Sequence, residues 1–406
     1  MDHLTADDLV SLRAEAQALG PDLVALRRSL HRNPELGLHL PRTQAAVLGA
    51  LAGLPLEVTT GLELSSVTAV LRGGLPGPVV LLRADMDALP VQEDAVEGFA
   101  SEFPGIMHAC GHDLHVAALV GAARLLSARS AGLPGSVVLM FQPGEESAAG
   151  ARVMLTEGLL EAAGSRPVAA YALHVTSALL PSGVAACRAG AALAAADTVQ
   201  VVVRGHGGHA SMPHLSRDPV PAVCEMITAL HTMTTRRLDP FDPVVLSVGT
   251  LSAGTAENVI ADEARFSASV RSFSEAARET VLGAAEEVCR GVAQVHGVEV
   301  EVSIGRGYPV TVNDSGEAAR VARVARWLLG PQRYLEAPHP LTGSEDFSFV
   351  LAEVPGAYFA LGATPPGESP DSAAYNHSPQ ARFDDGVLPD AAAMLAALAL
   401  DRLAGG

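Results

Sequence analysis

The chain has 406 residues, 49% of them apolar and 18% charged, which excludes a disordered chain or a disulfide-stapled mini-protein and points to two or three packed domains. Acidic side chains outnumber basic ones 45 to 27, and the formal charge of -18 opposes binding to nucleic acid or to an anionic membrane surface. Every basic side chain is an arginine, so chemistry that needs a lysine, such as a Schiff base or a phosphate-binding P-loop, is excluded.

Thr5 with Asp8 forms a capping-box pattern that opens a long helix, ending near Asn33-Pro34 because the residue before proline disfavours helix. Short β-branched apolar runs follow at 67–72, 79–85, 137–142 and 168–174, with helical patterns at 113–128 and 149–158 between them. Strands alternating with helices predict an α/β fold with a central mixed sheet flanked by helices. A second series reads strand 198–204, helix 219–235, strands 244–250 and 265–272, helix 274–296 and strand 298–304, the β-α-β-β-α-β order of a ferredoxin-like domain. A helix at 317–329, an apolar run at 357–361, a Gly/Pro/Ser-rich loop at 364–372 and a helix at 387–403 complete the chain. This layout predicts a smaller α+β domain, 190–308, inserted into a larger one formed by 1–189 and 309–406.

Cys110, Cys187, Cys224 and Cys289 form no Cys-x-x-Cys pair, which fits a reducing compartment. The acidic start MDHLTADD lacks the basic and apolar parts of a secretion signal. The longest apolar stretches, such as 391–400, fall short of the roughly 20 residues that span a bilayer. A soluble, cytoplasmic protein is expected.

Chemistry concentrates at residues 108–115, which hold four of the chain's 14 histidines and 4 cysteines: His108, Cys110, His112 and His115. A thiolate and an imidazole two residues apart suit zinc, cobalt or nickel better than magnesium; histidines at a helix start beside a buried cysteine are the alternative. Glu145 and Glu146 follow the run 137–142, where buried charge calls for a cation or a proton, so that one ligates while the other acts as base. The same pair also fits a solvated helix start. Asp85, Asp87 and His174 share the strand-end placement, whereas His377 stands alone. His206 and His209 lie in a glycine-rich turn, with His214 just beyond, in a pattern that fits exposed histidines equally well. Asn258 and Arg271 flank a strand-like run, and Arg271 has the geometry to grip a carboxylate, though both also pass as surface residues.

The segments LHRNPELG, RADMDALP, MHACGHD, FQPGEE, GHGGHASMPH, NVIADEARF, GSEDFSFV and NHSP occur in this order over nearly the whole chain. Together they resemble the dinuclear-metal aminoacylase and carboxypeptidase family, in the branch of hippurate hydrolases, indole-3-acetyl-amino-acid hydrolases and N-acetyl-diaminopimelate deacetylases. The resemblance implies two divalent ions (zinc, manganese, cobalt or nickel) held by Cys110, His112, Glu146, His174 and His377. It implies Glu145 as general base and Asp87 as the acid that orients a ligand. It further implies that the inserted domain is a lid and dimerisation element giving a homodimer or larger oligomer. On this reading His209 stabilises the oxyanion, while Asn258 and Arg271 bind the substrate's carbonyl and carboxylate. Two residues depart from the family pattern: His206 stands where lysine is commoner, and Gly144, expected to loosen the backbone beside the base, stands where alanine is commoner. The expected reaction is hydrolysis of small N-acyl or N-aroyl amino acids. A dedicated N-acetyl-amino-acid or N-acetyl-diaminopimelate deacetylase, a dipeptidase, and a catalytically silent dimeric metal-binding protein are the alternatives.

Overall fold

The computed structural model describes residues 6–94, 98–146 and 148–405; Thr5 of the capping-box pattern lies outside them. In chain order the elements begin α1 (Ala6–Arg32), α2 (Pro41–Leu51), β1 (Leu56–Thr60), β2 (Val67–Arg72), β3 (Leu75–Asp85), α3 (His112–Ser127), β4 (Pro134–Gln142), α4 (Gly150–Thr156) and β5 (Ala169–Thr176). They continue with β6 (Ala185–Cys187), β7 (Gly190–Leu193), β8 (Ala195–Arg204), β9 (Gly208–His209), α5 (Pro219–Arg236), β10 (Val244–Ala253), β11 (Val259–Ile260) and β12 (Glu263–Ser272). The last are α6 (Glu275–His296), β13 (Glu299–Arg306), β14 (Thr311–Asn313), α7 (Ser315–Leu328), β15 (Tyr334–Glu336), α8 (Ser348–Glu353), β16 (Gly356–Gly362) and α9 (Leu388–Ala404). No described helix is long and apolar enough to cross a membrane.

The chain forms two compact units. Unit 1 runs to Ala192 and resumes with Val312–His339 and from Glu345 onward; unit 2 is Leu193–Thr311 with Pro340–Ser344. Unit 1 holds a mixed sheet in the order β1-β2-β4-β3-β5-β16-β6-β15, with β3 parallel to β4 and β5, and β5 parallel to β16. Because strand side chains alternate, Leu82 and Ala84 of β3, Leu139 and Phe141 of β4, and Ala357 and Phe359 of β16 enter the core cluster that includes α1, α3 and α9. The intervening residues Arg83, Asp85, Gln142, His174 and Tyr358 therefore share the opposite face. The register aligns Arg83 with Ala172 and Ala172 with Tyr358, and two residues further on it sets Asp85 beside Gln142.

Helices α3 and α9 are buried almost all round, which is why they read as apolar stretches rather than amphipathic ones. Gly111 opens α3 at φ 85°, and a side chain there would meet Val175 Cγ2 at 2.5 Å, so glycine sets the turn between Cys110 and His112.

Unit 2 is a four-stranded antiparallel sheet, β10-β12-β8-β13, whose buried residues pack with α5 and α6. Its elements follow the β-α-β-β-α-β order. Alternation is clean on β12, where Ala264, Phe266, Ala268 and Val270 are buried, as expected of a sheet with one covered face. Asp218 and Ser274 cap α5 and α6 by accepting from the Val220 and Ala277 amides, and Gly297 at φ 65° ends α6. Asp197 of β8 accepts from Arg278 Nε at 2.8 Å and Nη2 at 2.7 Å and from the Gly307 amide at 3.1 Å, tying α6 to the sheet.

Candidate active site

Five side chains expected as ligands meet in unit 1 at the carboxyl ends of β3, β4 and β5. Cys110 Sγ lies 3.4 Å from His174 Nε2 and 3.3 Å from His377 Nε2, and His377 Nε2 lies 3.3 Å from Glu146 Oε1. His112 Nε2 is 3.9 Å from Glu146 Oε1. Backbone carbonyls set the ring orientations: His112 Nδ1 donates to Asp87 O at 2.8 Å and His174 Nδ1 to Val175 O at 2.7 Å. Each Nε2 is thereby aimed inward. Burial pushes the Cys110 thiol up to about 12. His377, 267 residues from Cys110 in sequence, is held at φ 72° with its amide bonded to Ala109 O.

His112 Nε2 and Glu146 Oε1 are buried and lack hydrogen-bond partners, and ligand atoms of Cys110, His112 and Glu146 lie within 4.8 Å of one another. Orphaned buried acceptors are costly. Imidazole, thiol and carboxylate in this arrangement form a donor set that fits a zinc-like divalent ion.

Glu145 and Glu146 sit in the turn between β4 and α4, not on a solvated helix start. The Asp87 carboxylate accepts from both of their amides, at 3.0 and 3.1 Å. Asp87 thus orients His112 through its backbone carbonyl and the glutamate turn through its side chain. Gly144 occupies φ 74° there, so the residue expected to loosen the turn supplies a left-handed backbone that other side chains rarely adopt. Burial, reinforced by the charges of Glu345, Glu146 and Asp346, pushes the Glu145 carboxyl well above the ordinary range.

Sequence reasoning did not find the support behind these residues. Arg83, fully buried, donates to Gln142 Oε1 at 2.9 Å, Asp85 Oδ2 at 2.6 Å and Glu345 Oε1 at 2.8 Å. Gln142 and the Ala151 amide in turn hold Asp346. RADMDALP and GSEDFSFV were the available signals, but nothing in the sequence joins positions 262 residues apart.

His209, Asn258 and Arg271 belong to unit 2. His209 Nδ1 accepts from Ser211 Oγ at 2.8 Å, the Ala210 amide bonds to Asn258 O, and β9 pairs with β11 beside Asn258. Arg271 Nη1 donates to Ser344 Oγ at 3.3 Å.

A two-unit α/β protein with imidazole, thiol and carboxylate donors gathered at its sheet ends has the form of a hydrolase. A family model described as Peptidase family M20/M25/M40 matches residues 81–401. The chain is 35% identical over 398 residues to a thermostable carboxypeptidase of Saccharolobus solfataricus, covering 97% of this chain and 98% of that protein. It is 37% identical to an IAA-amino acid hydrolase of Arabidopsis thaliana, covering 94% and 85%. The crystal structure of a dinuclear metal binding peptidase from the M20 family of Bacillus subtilis matches with a TM-score of 0.82 at 31% identity, over 96% of this chain and 99% of that one. The chain belongs to peptidase family M20/M25/M40 and is an amide-bond hydrolase.

Proposed function

We propose that the protein hydrolyses N-acyl or N-aroyl amino acids to a carboxylic acid and a free amino acid. The observation that carries this reading is the convergence of Cys110, His112, Glu146, His174 and His377, with two buried atoms among them that make no hydrogen bond and Glu145 on the same turn as Glu146. These five side chains would hold two divalent ions, which when bound lower the pKa of a water and polarise the amide carbonyl. Glu145 accepts the proton of the attacking water and delivers it to the leaving amine. Asp87 fixes the turn that carries both Glu145 and Glu146.

We assign to His209 the stabilisation of the oxyanion, to Asn258 the substrate carbonyl and to Arg271 the substrate carboxylate, with unit 2 as lid and dimerisation domain of a homodimer or larger oligomer. The resemblance supports these assignments, together with the adjacency of His209 on β9 and Asn258, the residue that precedes the paired strand β11.

The test is hydrolysis of N-acetyl, N-benzoyl and indole-acetyl amino acids, and of dipeptides, by chelated protein before and after return of manganese, zinc, cobalt or nickel. Metal-restored release of free amino acid from the benzoyl or indole-acetyl substrates is the expected result. Turnover of acetyl substrates alone assigns a deacetylase, and cleavage of dipeptides alone a dipeptidase. Silence from folded protein that binds two ions overturns the N-acyl amino acid reading, in favour of a dedicated substrate outside this panel or of a catalytically silent metal-binding dimer.

A further inference from the structure

His115 stands in a cluster with Asp85, His112 and His174 whose ligand-type atoms lie within 4.8 Å of one another, a grouping able to hold a metal ion. Its ring nitrogens are nevertheless both committed. The Val175 amide donates to His115 Nε2 at 2.8 Å, so that nitrogen carries a lone pair and Nδ1 carries the proton, which goes to Asp85 Oδ1 at 2.5 Å. The other Asp85 oxygen accepts from Arg83 Nη1 at 2.6 Å. His115 is buried, and its ring packs 4.6 Å from that of His174 and 5.4 Å from that of His112, centroid to centroid.

We propose that His115 is a positioning residue that sets two ligand imidazoles at once, through the chain Arg83–Asp85–His115–Val175. The inference rests on the metal-ligand assignment of the proposed function. The ring fixes where His174 is presented by fastening the Val175 amide, because Val175's carbonyl in turn holds His174 Nδ1. It also forms the wall against which His112 lies. An apolar ring of the same size would fill this space at lower desolvation cost, so the polar chain here is explained by the orientation it imposes.

The experiment compares stepwise zinc and cobalt binding, by calorimetry and by the thiolate-to-cobalt absorption band, in wild type, His115→Phe, His115→Asn and His115→Gln. Thermal midpoints of the chelated proteins report folding separately. Glutamine carries one donor and one acceptor at about the reach of the imidazole, whereas asparagine is too short to span Asp85 and Val175.

Phenylalanine and asparagine are expected to weaken at least one binding step by about 10–100-fold and to alter the cobalt band, with glutamine recovering most of the loss. Wild-type affinity in both the Phe and Asn variants overturns the proposal. So does a loss of affinity that follows the thermal midpoint across all three variants, which would mark a role in stability alone. If the Phe variant does not fold, the Asn and Gln variants decide between these results. Failure of wild type to bind two ions overturns the metal-ligand assignment instead, and His115 loses its proposed role with it.

Discussion

At the scale of single residues, the site divides into groups that meet the reacting atoms and groups that hold them. Glu145→Gln keeps size and polarity but removes the proposed base; turnover is expected to fall about 10²–10⁴-fold while metal content stays at the wild-type level. Loss of bound metal in that variant would instead make Glu145 a ligand. Cys110 adds a pH dependence whose sign is fixed. Burial pushes its thiol up to about 12, and ligation requires the thiolate, so metal bound by Cys110 would displace that proton. Affinity is expected to tighten by about tenfold per pH unit for each proton released, read as proton uptake by buffers of different ionisation enthalpy in a metal titration. Zinc affinity that is flat from pH 6 to 9 would exclude Cys110 as a ligand. The candidate metal-binding segment stood out because metal chemistry needs scarce residue types, and four histidines and cysteines crowd into positions 108–115. His115 was counted in that cluster without its role being visible, because its partners are an aspartate thirty residues earlier and a backbone amide sixty residues later.

At the scale of elements, buried strands announced themselves and exposed or short ones did not. The runs at β3, β4 and β5 are continuous and apolar because both faces of the sheet are covered. Edge strands β1 and β15 are short and carry exposed residues, so they have no comparable pattern and were not identified; nor was α2, which has only three buried side chains. The placement of α6 depends on an ion pair that the sequence could not show. Arg278→Met leaves Asp197 buried without its cation, and a loss of about 3–5 kcal/mol is expected in the stability of unit 2. Faster amide exchange in α6 and β8, with unchanged metal binding, would be the signature; unchanged exchange would mean that packing alone seats the helix.

For the whole molecule, all five assigned ligands lie in unit 1, so metal and stability are linked there first. At free metal near 100 times the dissociation constant, about 2.7 kcal/mol of stabilisation is expected per site. Amide exchange should slow in β3, β5 and α3 on metal addition, while the sheet of unit 2 exchanges as before; equal slowing in both units would overturn that independence. The α/β character and the second series of elements were both readable because each unit has its own core and periodicity, whereas the contacts that close unit 1 across distant segments were not. That closure has a consequence for biosynthesis. Strand β16 fills an interior place between β5 and β6, and His377 and α9 come later still. A ribosome therefore releases most of unit 2 before the sheet of unit 1 can be completed, leaving the β5 and β6 edges unpaired during translation of well over a hundred residues. During that interval the nascent chain is exposed to misassembly, and the metal centre is among the last features to form.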